Sequence, residues 1–348
     1  MKSKYAVITD KETCEIKVEE VNSDDLHPDE LLVSAHYSVI SAGTELAGFC
    51  ALSPGVYKKG AWNAYPWRSG YGLVGEVAAT GRDIKSVQKG ERVFCFGNHA
   101  QHQIIPLGMV KEDPKYSVFS AENELDDETI AASRMALVSI TAPQLSGIKL
   151  GDTVAIFGLG MVGNLTGQFY RHLGARVIAF DPIKMRCQKG REVGLEEVFD
   201  LPPEAQVDAI MQLTNGRGAD IAVDAVGSSA VVLNCVSAAA MNGKVVLLGT
   251  PRAEYRGNLT DLLRPAHLRS LQIIGAFEWR LPAYMQMGVP QSIESNLCLI
   301  WGLIQLGHLK VKELITHIVQ PEEMQAAYLG LLNEKEEFLG VLVDWRGS

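Results

Sequence analysis

Apolar positions follow two rhythms along the 348 residues. In roughly the first 120 residues they come in short runs, at 5–9, 31–39, 75–79, 92–96 and 103–105, broken by clusters such as Gly81-Arg82-Asp83 and Lys89-Gly90-Glu91. Runs of that length between turn-forming residues predict β-strands. From Asp126 the rhythm changes. Apolar runs at 153–157, 176–180, 221–224, 244–248 and 271–275 predict buried strands, and the spacing at 161–173 and 183–193 is helical. Alternating units of this size predict a parallel sheet covered by helices on both faces, an α/β architecture. Helical spacing returns at 291–306 and 321–332, before a last strand-like run at 339–344. Between the early strands, residues 50–71 carry Tyr57, Trp62, Tyr65, Trp67 and Tyr71, and so much ring surface on a long loop suits a binding wall or an interface.

Composition narrows the function. Hydrophobic residues make up 47% and charged residues 21%, which excludes a mainly disordered chain. The net charge of −9, without a block of Lys or Arg, argues against nucleic acid or an anionic membrane as a partner. Six dispersed cysteines with no C-x-x-C pair suggest thiols in a reducing compartment. No run of about 18 apolar residues is present. The opening stretch also turns acidic too early for a signal peptide, so a cytoplasmic location is expected.

The densest chemical signal is Gly158-Leu159-Gly160-Met161-Val162-Gly163, between a predicted strand and a predicted helix. Gly158 permits a tight turn, Gly160 lets the backbone of Met161 and Val162 approach a pyrophosphate, and Gly163 lets the helix pack on the strand. The next strand ends at Asp181, whose carboxylate could accept both hydrogen bonds of an adenosine ribose diol and repel a 2′-phosphate, favouring NAD(H). Asp181 as a helix cap is the alternative. Lys184 and Arg186 follow closely and bear on the phosphate preference. Later strand ends, at Val226, at Gly249-Thr250 and at Ala276-Phe277, should complete the dinucleotide site.

Several strings in order, Gly43-Thr44-Glu45, Gly70-x-x-x-x-Gly75-x-Val77, Gly90-Glu91-Arg92-Val93 and Gly151-Asp152-Thr153-Val154 leading into the glycine motif, resemble the medium-chain dehydrogenase/reductase superfamily, the alcohol-dehydrogenase-like enzymes. The resemblance spans nearly the whole chain. It implies a GroES-like β-rich catalytic domain at 1–125, a Rossmann domain with a doubly wound parallel sheet at 126–300, and a segment at 301–348 returning to the catalytic domain. It also implies a cleft between the domains and a homodimer or homotetramer. Most such dehydrogenases hold a catalytic zinc through Cys in C-G-T-D, His in G-H-E, and a third ligand from the first helix of the cofactor domain. Here Ala42 and Tyr71 stand at the first two places, and Met135-Ala136 near the third. Alanine offers no ligand atom. The cysteine-rich lobe of many relatives is reduced to Cys95, so neither a catalytic nor a structural zinc is expected.

Without a metal, protein groups must manage the proton of the substrate. Thr44 keeps the hydroxyl position that relays it in zinc-containing relatives. Tyr71 is a second candidate, since a phenol ordinarily titrates at about 10 and a nearby cation lowers that value. Glu45 could partner Tyr71 or a substrate hydroxyl, or be a structural carboxylate. His99 and His102 are read on one strand with the capacity to share a face, which would bring His99 to the cleft; a satisfied structural histidine is the alternative. Trp62, Trp67 and Tyr57 suit stacking on a sugar, and Glu278-Trp279-Arg280 could line the substrate cleft or a dimer seam. The expected activity is hydride transfer between NAD and a small hydroxyl or keto compound: a secondary alcohol or ketone, foremost a polyol, sugar or cyclitol. A zinc-free quinone or enoyl reductase and a non-catalytic dinucleotide-binding protein are the alternatives.

Overall fold

Strand β1 (Lys2–Asp10) turns tightly into β2 (Thr13–Glu20), and the two pair antiparallel. This is a computed structural model that describes residues 1–107 and 113–347. The chain forms two compact units: Met1–Arg134 with Trp279–Gln305 and Ile315–Ser348, and Met135–Glu278 with Leu306–Leu314.

The first unit continues with β3 (Glu30–Val39), helix α1 (Thr44–Phe49) and β4 (Leu73–Thr80). Strands β5 (Arg92–Cys95), β6 (His102–Pro106) and β7 (Val118–Ser120) and helix α2 (Asp127–Ala132) follow. Arg134 opens α3 (Arg134–Ser139). The second unit runs through α4 (Thr141–Ser146), β8 (Thr153–Phe157), α5 (Met161–His172), β9 (Arg176–Phe180), α6 (Lys184–Glu192) and β10 (Glu197–Phe199). Its other half comprises α7 (Pro203–Leu213), β11 (Ala219–Asp224), α8 (Ser229–Ala238), β12 (Ala239–Leu247), α9 (Thr260–Leu268) and β13 (Gln272–Gly275). Helix α10 (Ile293–Gln305), β14 (Ile315–Val319), α11 (Met324–Asn333) and β15 (Gly340–Asp344) return to the first unit.

In the first unit the sheet order is β14-β15-β3-β4-β5-β7, with β6 also pairing β3. The late strand β15 lies beside β3, with Leu342 opposite Val39. Its Val341 and Val343, with Met324, Tyr328 and Leu331 of α11, share one core with Ala6, Ile8, Leu31, Val33, Phe49 and Val77. Burying each such side chain contributes about 1.5–3 kcal/mol, so the C-terminal segment completes this core. The second unit is a six-stranded parallel sheet in the order β10-β9-β8-β11-β12-β13. The chain crosses outward from β8 in both directions, the doubly wound arrangement whose order reverses between β8 and β11.

The division differs from boundaries at 125/126 and 300/301. Helix α2 belongs with the β-rich unit, where Asp127 pairs with His36 Nδ1 (2.8 Å) and Arg92 Nη1 (3.2 Å). Helix α10 belongs there too, whereas 306–314 go to the parallel-sheet unit. Periodicity marks where helices begin, not which sheet they cover. Strand β2 lies outside the predicted runs although Cys14, Ile16 and Val18 alternate with Glu15, Lys17 and Glu19, and of these only Cys14 is buried. Strands β7 and β10, three residues each, are too short for a pattern.

Gly75 pairs with Ala35 beside a register shift, and a Cβ there would lie 2.2 Å from the Ser34 carbonyl oxygen. Gly75→Ala is expected to destabilise the protein by about 1–3 kcal/mol through overpacking. Thermal unfolding with an unchanged midpoint would show that β3 and β4 can separate without penalty.

Candidate functional site

Two groups of residues carry chemistry, one in each unit. In the parallel-sheet unit the glycine motif follows β8 at the point of reversal. Gly158 adopts φ +96°, the left-handed region that favours glycine. A Cβ on Gly163 would lie 1.9 Å from the Gly158 carbonyl oxygen, so the third glycine is required for the turn to pack on α5. Beyond Gly160 the space is open to 4 Å. The first-turn amides of α5, at Met161, Val162 and Gly163, lack intrahelical acceptors. Backbone donors, an open approach and a helix N-terminus suit a pyrophosphate.

The other sequence-predicted dinucleotide residues cluster at the carboxyl ends of the same sheet: Asp181 after β9, Val226 after β11, Gly249 and Thr250 after β12, and Ala276 and Phe277 after β13. Val226 and Phe277 are exposed. Asp224, absent from the sequence reading, organises the β11 end. Its fully buried carboxylate accepts from the amides of Val226 (2.9 Å), Gly227 (3.0 Å) and Ser228 (3.3 Å). Burial holds its carboxyl above the usual carboxylate range, against the pull of those amides. Its signal is an acid closing an apolar strand just before a glycine. Asp181 differs from expectation. Its side chain is 3% exposed, with Oδ2 accepting from Leu159 N (2.8 Å) and Oδ1 from Ile183 N (2.9 Å). The carboxylate ties the glycine turn to the start of α6.

In the β-rich unit, the turn between β3 and α1 carries Ser41, and Thr44 and Glu45 open α1. Glu45 is 0% exposed and its carboxylate gathers three donors: Ser41 N (2.8 Å), His99 Nε2 (2.8 Å) and the Tyr328 hydroxyl (2.5 Å). His99, also 0% exposed, meets Ser38 Oγ through Nδ1 at 2.7 Å, and Ser38 Oγ accepts from Trp345 Nε1 at 2.8 Å. With the indole donating to Ser38, the serine hydrogen can go to Nδ1, which leaves the Nε2 hydrogen for Glu45. Burial and the adjacent Glu45 push the Tyr328 phenol well above its ordinary value, so it remains a donor. The same hydroxyl reaches Ser69 Oγ at 3.0 Å.

This corrects the catalytic expectation for two residues in favour of the structural alternative. His99 and His102 share no strand: His99 precedes β6, His102 opens it, and His99 is enclosed by Ser38 and Glu45 rather than presented to a cleft. Glu45 bonds His99 and Tyr328 instead of Tyr71. The tie to Tyr71 runs through Ser41, whose Oγ accepts from the Tyr71 hydroxyl while its amide donates to Glu45. Thr44 lies three residues further on, half-buried at the start of α1.

Tyr71 is fixed from a second side by Arg134, a fully buried guanidinium missed by the sequence reading. Arg134 Nε donates to the Tyr71 carbonyl at 3.0 Å, and its guanidinium carbon lies 4.4 Å from the Tyr71 ring centre. Phe96 (4.8 Å) and Trp279 (5.9 Å) complete an aromatic surround. A lone arginine inside Ala131-Ala132-Ser133-Arg134-Met135-Ala136-Leu137 was the available signal, since a cation in an apolar run must be buried with partners. On the 50–71 loop, Trp67 is buried whereas Tyr57 and Trp62 are exposed, each edge-on to an inner ring, Tyr65 and Trp67 respectively.

Among the described residues no group of three or more His, Cys, Asp or Glu side chains could hold a metal ion. Ala42 has no donor and the Tyr71 hydroxyl is bonded to Ser41, so the residues present do not fit a zinc centre. His99→Ala is expected to cost about 3–5 kcal/mol by stripping a partner from a buried carboxylate. Ser69→Ala, which removes only one acceptor, should cost about 1 kcal/mol. Equal effects in denaturant unfolding would mean that Glu45 does not depend on the histidine.

A family model described as zinc-binding dehydrogenase matches residues 161–289. Sorbitol dehydrogenase from Bacillus subtilis is 23% identical over 95% of this chain and 94% of its own length. Among solved structures, an oxidoreductase of unknown specificity from Escherichia coli superposes with TM-score 0.80 at 20% identity, covering 99% of both chains. A protein described as a short chain alcohol dehydrogenase from E. coli CFT073, complexed with NADH, superposes with TM-score 0.76 at 16% identity over 99% of both. With the glycine turn at the reversal of a doubly wound sheet and a β-rich unit closed by the C-terminal strand, the chain is similar to the medium-chain dehydrogenase/reductase superfamily, and these comparisons support that likeness.

Proposed function

We propose that the protein is a zinc-independent, NAD-dependent oxidoreductase that moves a hydride between nicotinamide and a secondary alcohol or ketone. A polyol, sugar or cyclitol is the substrate class. The observation that carries the reading is the Tyr71 phenol. It stands where zinc-dependent relatives place a ligand histidine, is bonded to Ser41 Oγ, and lies beneath the buried Arg134 guanidinium. When bound, the nicotinamide supplies the hydride acceptor or donor. The residues of this chain manage the oxygen. In the oxidative direction Tyr71 Oη, as phenolate, takes the hydroxyl proton of the substrate while the hydride leaves the adjacent carbon. The guanidinium holds the ring from one face, and the Ser41 hydroxyl can turn from accepting to donating as the charge on the phenolic oxygen changes. Thr44 supplies a further hydroxyl at the same turn. The sugar-alcohol relative supports the polyol class, the NADH complex supports a nicotinamide cofactor, and six unpaired cysteines support a cytoplasmic setting. Among the described residues no helix is long and apolar enough to cross a membrane.

NAD⁺ reduction across polyols, aldoses and cyclitols is expected to proceed undiminished in EDTA, and Tyr71→Phe should lower kcat by about 10²–10⁴. Turnover abolished by the chelator would overturn zinc independence. A protein that reduces quinones or enones and ignores every hydroxyl compound would belong to the reductase reading instead.

A homodimer or homotetramer belongs to the same proposal. Strand β13 ends its sheet, and Ile273 on it is 42% exposed, with Leu268 and Phe277 also exposed nearby in sequence. An apolar sheet edge with unpaired backbone groups invites a second copy. Ile273→Lys should shift the mass measured by light scattering toward the monomer; a monomeric parent protein would remove the argument.

A further inference from the structure

Between Trp67 and Gly72 the chain has no regular secondary structure apart from one bridge to β1, yet every carbonyl along it accepts a hydrogen bond. Ile8 N reaches Trp67 O (2.9 Å), His99 N reaches Ser69 O (2.8 Å), Arg134 Nε reaches Tyr71 O (3.0 Å) and Val39 N reaches Gly72 O (3.1 Å). The carbonyls of Arg68 and Gly70 are taken by a single half-buried side chain, Asn98, whose Nδ2 lies 3.1 Å from the first and 3.0 Å from the second. Two acceptors around one terminal atom identify it as the nitrogen, with both of its hydrogens engaged. The backbone of Asn98 is set in turn, because its amide donates to Gln103 Oε1 at 3.0 Å.

The second of those bonds falls on the peptide that joins Gly70 to Tyr71. Gly70 holds φ +96°, and a Cβ there would lie 2.4 Å from His99 N. The left-handed φ and the close approach both require glycine, and glycine offers little resistance to rotation of the peptide that follows it. The restraint has to come from outside the residue, and the Asn98 carboxamide supplies it. We propose that Asn98 is a positioning residue for Tyr71: it locks the Gly70–Tyr71 peptide, so that the phenol is directed at Ser41 Oγ, to which it is bonded. This rests on the Tyr71 reading above and extends it to a residue that acts only through Tyr71. With the carboxamide gone, the phenol spends part of its time away from Ser41 and from the geometry in which it takes the substrate proton. Turnover then falls while substrate affinity is kept.

The test is a double-mutant cycle in the full-length protein, read as NAD⁺ reduction with sorbitol or with the best-used compound of the polyol, aldose and cyclitol panel. Asn98→Ala should lower kcat by about 10–100-fold and leave KM within about twofold. Its melting midpoint should fall by about 5 °C or less. Its kcat should also need a higher pH to reach half of the plateau, because the phenolate loses the Ser41 hydroxyl as a donor. Added to Tyr71→Phe, Asn98→Ala should cost less than about twofold, since no phenol is left to position. A residue that only stabilised the fold would cost the same in both backgrounds. If alanine leaves no folded protein, Asn98→Ser carries the same cycle. An unchanged kcat, a loss confined to KM, or equal losses with and without the Tyr71 hydroxyl would overturn the role given to Asn98. Undiminished turnover in Tyr71→Phe alone would instead overturn the Tyr71 reading, and this inference with it.

Discussion

A carboxylate wholly removed from water dictates the layout of the β-rich unit. Such a group, here Glu45, is tolerated only where donors surround it, because an unpaired buried ion is among the most expensive defects a fold can hold. The donors come from segments far apart in the chain: the amide of Ser41 in its own turn, His99 from the approach to β6, and Tyr328 from α11. Ser38 and Trp345 then orient His99 from behind. The β3–α1 turn is thereby pinned from three directions. Ser41, which belongs to that pinned turn, is the group that receives the Tyr71 hydroxyl. Rigid support behind a polar side chain is what a reacting group needs if its geometry is to be set before the substrate arrives.

The parallel-sheet unit reaches order by another route. Its side-chain carboxylates, Asp181 and Asp224, bond to amides of the loops that follow the strands and so shape backbone. Glycines at 158, 163 and 227 permit the turns that this bonding requires. One unit is organised by a charge enclosed in side chains, and the other by charges spent on main chain. The first offers individual oxygen and nitrogen atoms for proton handling. The second offers a row of backbone donors, suited to a ligand recognised chiefly through its phosphates.

The sequence was most legible where structure is local. The strands at 153–157 and 176–180, the glycine turn and the helix after it all follow from periodicity and from glycine stereochemistry, and they lie where the pattern places them. The resemblance pointed to Tyr71 and Thr44, and the structure bonds the Tyr71 hydroxyl to Ser41, three residues before Thr44. Partnership over long separations was invisible. No spacing rule links Glu45 to Tyr328 or His99 to Trp345, because those pairs exist only after α11 and β15 have docked. Asp181 shows a different limit. Its place at a strand end was correct, yet its chemistry depends on which amides fold back onto it, and a motif does not encode that. Arg134 was readable in principle, as a cation inside an apolar run whose burial follows from its neighbours.

The interleaving of the two units has a consequence for biosynthesis. Everything the parallel-sheet unit needs has been translated once residue 314 is made, so that unit can mature while the remainder is still inside or near the ribosome. The β-rich unit, although it starts first, must wait for Tyr328, β15 and Trp345 before its interior charge is enclosed. In the interval β3 carries an open flank and Glu45 stays hydrated. This nascent β-rich half, and not the nucleotide-type half, is therefore the portion that chaperones would have the longest opportunity to engage.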